Sequence, residues 1–225
     1  MKPVLLSLVF ILSAFSFSAS ANQNQVCYLK TEVVKDDISY LANMFNIGSM
    51  SLNDFTKKTQ QGLEFSLTLA SGNTPPNDYV MSMFDNASMH FNVLTQNLNT
   101  RTYLIQNINF SKLKNDFNSC LTEEVKQKCP QAISHFNNAI SSFLANHSEV
   151  IREHGQLSSA KKQVFSIIRS DYENSVVMTP AKFKELSQLI QTPQQNYRFI
   201  TNKTQKDLNE ISSLIENDLA KCLLQ

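Results

Sequence analysis

Apolar side chains recur three and four residues apart along almost the whole chain, and this spacing constrains the possible folds more than any other feature. It is the period of one buried helix face, and runs that alternate every second residue are absent. Only four glycines occur in 225 residues. The sequence therefore predicts an all-α fold: an elongated bundle of about seven helices, with the first and last helices antiparallel.

Capping and turn residues indicate where these helices begin and end. Glycines at 48, 72 and 155 can close helices, and the stretch from Gly72 to Pro76 is the clearest loop. Thr179-Pro180 and Thr192-Pro193 each offer a capping hydroxyl followed by a proline, which is tolerated in the first helical turn. The most regular apolar face is a heptad seam formed by Val80, Phe84, Ala87, Phe91, Leu94 and Leu98.

The N-terminal residues have the order of a secretory signal peptide. Lys2 supplies a positive charge, an apolar run extends over residues 4–17, and Ala19-Ser20-Ala21 is a small-residue cleavage site. The apolar run is shorter than the roughly 18–20 residues that a spanning helix needs. We therefore expect residues 1–21 to be removed and residues 22–225 to form one helical-bundle domain. This domain should be secreted or extracytoplasmic, with no membrane span after cleavage.

Four cysteines remain after the signal peptide, and an even number in an exported chain favours disulfides. None of them forms the close C-x2-C pair of a zinc site. If the first and last helices are antiparallel, Cys27 and Cys222 meet at one end of the bundle. Cys120 and Cys129 can then close a hairpin between two helices. The sequence alone permits three connectivities, and we predict the pairs Cys27–Cys222 and Cys120–Cys129.

His147 and His154 are the strongest candidates for chemistry. They lie seven residues apart on one helix face, so a single metal ion would need further ligands from another helix. Inward Glu-x-x-His pairs, a nucleophile elbow, a phosphate-binding loop and a C-x-x-C motif are all missing from the sequence. We interpret both histidines as residues at the edge of the core. We therefore predict no catalytic residue, no metal site and no cofactor.

Four Asn-x-Ser/Thr sequons could carry glycans if the host is a eukaryote. Their number is what the high Asn, Ser and Thr content produces by chance. A glycoprotein remains one interpretation of the sequence. The acceptor residues are Asn86, Asn109, Asn146 and Asn202.

The functional prediction follows from exclusion. A formal net charge of +1 without a basic run excludes the usual signature of nucleic-acid binding and of attachment to anionic membranes. We expect a non-enzymatic binding or interaction module that presents helix faces to a protein partner. Two alternatives stay open. The 15 Phe and seven Met could line a pocket for an apolar, lipid-like ligand, or an enzyme site could surround His147 and His154.

Overall fold

The computed structural model describes residues 23–224, and this part of the chain is helical without strands. The prediction of an all-α fold is confirmed. The predicted signal peptide, residues 1–21, lies outside the described residues. The helices are α1 (residues 23–32), α2 (Lys35–Ser71), α3 (Asp78–Ile108), α4 (Phe110–Cys120), α5 (Glu123–Lys128), α6 (Pro130–Glu173), α7 (Pro180–Ser213), a π-helical segment (Leu214–Leu219) and α8 (Ala220–Leu224).

The predicted number of helices is wrong, because several helices are longer than the sequence suggested. Residues 23–224 contain five helices of more than ten residues rather than seven helices. Gly48 lies inside α2, Gly155 inside α6 and Pro193 inside α7. A glycine inside a helix costs only about 1 kcal/mol and a proline about 3 kcal/mol. Burial of Ile190 and Tyr197 on either side of Pro193 offsets such a cost.

The glycines of α2 and α6 provide a matched pair of stability tests. An added Cβ at Gly155 meets nothing within 4 Å, whereas one at Gly62 would lie 2.8 Å from the Phe84 ring. We expect Gly155→Ala to raise the free energy of unfolding by about 0.5–1 kcal/mol, because alanine is the better helix former. Gly62→Ala should lower it by about 1–3 kcal/mol through overpacking. Urea denaturation measures both, and a shift in the same direction for the two variants would contradict this packing.

The described chain divides into two compact units. Unit 1 contains residues 23–40, Leu104–Leu144 and residues 206–224, and unit 2 contains Leu41–Tyr103 and Ala145–Gln205. The single domain expected for residues 22–225 stays a prediction. No helix among the described residues has the length and apolar character needed to cross a bilayer.

Unit 2 is a four-helix bundle in which α2, α3, α6 and α7 each run antiparallel to their neighbours. In α2 and α7, Asn46 accepts a hydrogen bond from Gln205 and Asn53 accepts one from Arg198, both at 2.7 Å. One residue number rises as the other falls, which is the order of antiparallel helices. The same order holds for Phe65–Tyr79 and Phe55–Phe91 between α2 and α3, Phe84–Phe165 and Thr95–His154 between α3 and α6, and Asp171–Lys182 and His154–Tyr197 between α6 and α7.

The core of unit 2 is apolar and rich in aromatic rings. All six residues of the heptad seam between Val80 and Leu98 are buried, as their spacing predicts. The rings of Phe55 and Phe91 lie 5.1 Å apart, within the usual range of packed aromatic pairs. These rings occupy the space between the helices, so burial of apolar side chains holds the bundle together.

Two disulfides tie the helices of unit 1, but the predicted pairing is wrong. Cys27 of α1 bonds to Cys120 at the end of α4, and Cys129 bonds to Cys222 of α8. The predicted hairpin between Cys120 and Cys129 does not form, because the segment between them folds into α5. Each disulfide links residues 93 positions apart.

Candidate functional site

The two candidate histidines each bind a threonine of α3. His147 Nε2 lies 3.2 Å from Thr102 Oγ1, and His154 Nε2 lies 3.1 Å from Thr95 Oγ1. Both threonine hydroxyls donate their only hydrogen to a carbonyl one turn earlier, at 2.9 and 3.0 Å. Each imidazole must therefore donate through Nε2–H, since a hydroxyl that has used its hydrogen can only accept. The result is two parallel Thr–His links between α3 and α6.

A fully buried arginine lies in the same unit. Arg101 of α3 has an exposed fraction of 0%, and its Nη2 donates to the Tyr197 hydroxyl at 3.0 Å. Its guanidinium carbon lies 4.3 Å from the centroid of the Phe45 ring, in a cation–π contact. The Nε and Nη1 atoms donate to no protein atom among the described residues. Burial lowers the pKa of Arg101, but a guanidinium stays charged in proteins.

Close approach of the α2 backbone limits the space around Arg101. An added Cβ at Gly48 would lie 2.8 Å from Asn97 Oδ1 and 3.6 Å from Arg101 Nη2. Only glycine leaves room for these side chains at this separation. Gly48, which the sequence suggested as a helix end, thus brings α2 against the polar side chains of α3.

The positive charge of Arg101 acts on both histidines. Burial lowers the pKa of His147 to about 4, with a further lowering from Arg101. The pKa of His154 is lowered by the same two causes in the same order. Both rings are therefore neutral at neutral pH, and a neutral ring with its proton on Nε2 can make the hydrogen bond to threonine.

A second cation of unit 2 also lies over aromatic rings. The His154 ring stacks on Phe91 with 5.2 Å between centroids, and Lys161 Nζ lies 4.8 Å from the same Phe91 centroid. Burial lowers the pKa of Lys161. Arg101 and Lys161 therefore both lie against aromatic rings of unit 2.

The arrangement supports binding and cross-linking more readily than acid–base catalysis. Burial and the neighbouring cation Arg101 both lower the pKa of His147 and His154, so both rings accept a proton less readily than an ordinary histidine. Within residues 23–224, no three His, Cys, Asp or Glu side chains lie close enough together to hold a metal ion. The cluster can instead offer unsatisfied N–H donors of Arg101 to a small acceptor.

Comparison with known proteins identifies no relative of this chain. The chain matches no protein-family model, no curated protein and no solved structure.

The predicted glycan acceptors differ in accessibility. Asn86 and Asn202 are exposed, and so is Asn109. Asn109 Oδ1 also caps α4 by accepting from the Lys112 backbone N–H at 3.1 Å. Asn146 is buried, which disfavours it as an acceptor. Glycosylation stays a prediction for the exposed sites.

An exposed row of apolar side chains in unit 1 was not identified from the sequence. Val26 and Leu29 lie on α1, Val33 lies in the turn that follows it and Tyr40 lies at the beginning of α2, and we call these four residues the outer stripe. Their spacings of three, four and seven residues are those of a coiled-coil seam. Val33 is 79% exposed and the other three are about half exposed, at 46–52%. Cys27 of α1 is buried by contrast, so α1 has a fixed inner face and an apolar outer face.

Proposed function

We propose that the protein is an exported, non-enzymatic binding module that presents the outer stripe to an amphipathic helix of a partner protein. The observation that carries the proposal is the solvent exposure of four apolar side chains with heptad spacing. Apolar side chains that are grouped together and exposed to this extent mark interaction surfaces. Heptad spacing is the pattern that packs against a second helix.

The charges beside the outer stripe favour a protein partner. Lys30, Glu32, Asp36 and Asp37 all lie between the first and last residues of the stripe. Both signs are present, as at the flanking positions of coiled coils that set partner choice. An anionic membrane surface would attract a cluster of basic residues, which this segment does not have.

The Cys27–Cys120 disulfide supports the proposal because it fixes α1 before any partner binds. Gln23 of α1 adds a hydrogen bond from Nε2 to the Cys120 carbonyl at 3.1 Å. A surface that is already ordered loses less conformational entropy on binding than a free helix does. The disulfides also support export, since such bonds persist in oxidising compartments. The predicted signal peptide points to the same destination.

The two alternative functions have less support. A carrier needs space for an apolar ligand, whereas packed rings occupy the centre of unit 2. The cavity of about 740 Å³ beside Cys129–Cys222 in unit 1 includes polar residues such as Lys128, His135 and Lys221 in its lining. An enzyme centred on His147 and His154 has less support, because Nε2 of each ring is already engaged by a threonine hydroxyl.

A site-specific crosslink tests the proposed surface. A photoreactive phenylalanine analogue replaces Val33 in one variant and the exposed, polar Asn107 in a control, and each protein is irradiated in the medium of its native host. We expect a discrete protein adduct from position 33 and none from position 107. Adding Val26→Lys and Leu29→Lys should abolish the adduct while the circular dichroism spectrum stays unchanged.

Two outcomes would contradict this function. Equal adducts from both positions would indicate unspecific contact. Binding to zwitterionic lipid vesicles that is lost with Val26→Lys and Leu29→Lys would assign the outer stripe to a membrane surface.

A further inference from the structure

The buried guanidinium of Arg101 has no counter-ion among the described residues, and we infer that it holds a small monovalent inorganic anion of about the size of chloride inside unit 2. The site is separate from the outer stripe and does not depend on the proposed function. It is formed by α3 with contributions from α2 and α7.

The positive charge of Arg101 is not compensated by an anionic group among the described residues. Arg101 is completely buried, and arginine is almost never fully buried unless it is paired. The groups that act on its pKa are the protein interior, which lowers it, and the Tyr197 hydroxyl, which raises it. A neutral hydroxyl and an aromatic face leave a full positive charge in a medium of low dielectric constant.

The buried carboxylates of unit 2 are engaged with other cations. Asp171 Oδ1 lies 2.6 Å from Lys182 Nζ, and Glu153 Oε1 lies 2.7 Å from Arg152. The titratable neighbours of Arg101 are instead His147 and His154, and the guanidinium lowers the pKa of both. The electrostatic field inside the bundle is therefore positive, and it favours an added negative charge.

Two nitrogen atoms of the guanidinium remain available to a ligand. Nε and Nη1 of Arg101 are buried and donate to no described protein atom, while Nη2 is used by Tyr197. Buried N–H groups are nearly always satisfied in folded proteins. An anion is an acceptor for both N–H groups and supplies the missing charge as well.

The surroundings select a small, weakly hydrated ion. The Phe45 ring covers the guanidinium at 4.3 Å, and the α2 backbone at Gly48 approaches it closely. The limited space makes the dehydration of a divalent oxyanion costly. A halide loses less on dehydration and needs no directed hydrogen bonds of its own.

Thermal unfolding of the full chain tests the site with sodium chloride and sodium gluconate at matched ionic strength. We expect chloride to raise the midpoint temperature in a saturable way, since a ligand that binds only the native state stabilises it by mass action. Arg101→Met should respond equally to the two salts. Tyr197→Phe, which keeps the guanidinium, should still respond to chloride.

Crystals of the wild-type protein grown with bromide provide a measurement that does not depend on a folded Arg101 variant. We expect anomalous density beside Nε or Nη1 of Arg101, together with the chloride-specific rise in midpoint temperature. Bromide density without that rise would show an adventitious ion only and would overturn the inference. A chloride effect with no bromide beside Arg101, or neither signal, would overturn it too.

Discussion

Replacing both Cys129 and Cys222 with serine should lower the free energy of unfolding by about 4–5 kcal/mol. A disulfide stabilises a protein mainly by restricting the unfolded chain, and a loop of this length lies near the upper end of that effect. The two cysteines are 93 residues apart, so the reduced unfolded chain gains many conformations. Urea denaturation of the double variant against the wild-type protein measures the loss. A midpoint within error of the wild type would contradict a native-state Cys129–Cys222 bond.

The Cys27→Ser, Cys120→Ser double variant is the matched control, because its loop has the same sequence separation of 93 residues. Both double variants should lose similar stability. Only the loss of Cys27–Cys120 frees α1, however, so only this variant should lose the crosslink from position 33. A crosslink that survives in it would show that α1 is positioned by other contacts.

Acidification from pH 7 to pH 4 should lower the free energy of unfolding by about 3 kcal/mol through His147 alone. The native pKa of His147 is about 4, below its ordinary value of 6.5. Between these two values the unfolded chain binds a proton that the native state rejects, so stability falls as the pH falls. The loss is complete below the native pKa. His154 contributes in the same direction, because its pKa is also lowered by burial and by Arg101.

His147→Gln isolates this contribution. Glutamine does not titrate, and its amide N–H can replace Nε2–H as a donor to Thr102. We expect the difference in unfolding free energy between pH 7 and pH 4 to shrink by most of the about 3 kcal/mol attributed to His147. An unaltered pH dependence in His147→Gln would mean that burial of a neutral ring at this position is not the cause of acid sensitivity.

Periodicity predicted which faces are buried far better than where helices end. Every residue of the Val80–Leu98 seam is buried. Apolar residues at this spacing share one helix face, and that face packs into the core. Gly48 was predicted to end a helix and Pro193 to begin one, and both were misleading because packing of the surrounding residues offsets the cost of each inside a helix. The disulfide pairing depends on the path of α5, which no spacing of cysteines encodes.

The candidate site was only half visible in the sequence. His147 and His154 were identified, and the structure places His147 in the buried interior and leaves His154 half-buried. Arg101 was missed, although it continues the seam from Leu98 at a spacing of three residues. A charged residue at such a position is normally expected to reach solvent, so only the structure reveals that it does not. Thr95 carried the other overlooked signal, because Thr95 and Thr102 have the same seven-residue spacing as the two histidines.

The fixed position of α1, on which the proposed function depends, is tested most directly by mapping the disulfides of the non-reduced protein with proteolysis and mass spectrometry. We expect one linked peptide that joins Cys27 to Cys120 and another that joins Cys129 to Cys222. Peptides that join Cys27 to Cys222 and Cys120 to Cys129, or four free thiols, would contradict a covalent attachment of α1 to α4.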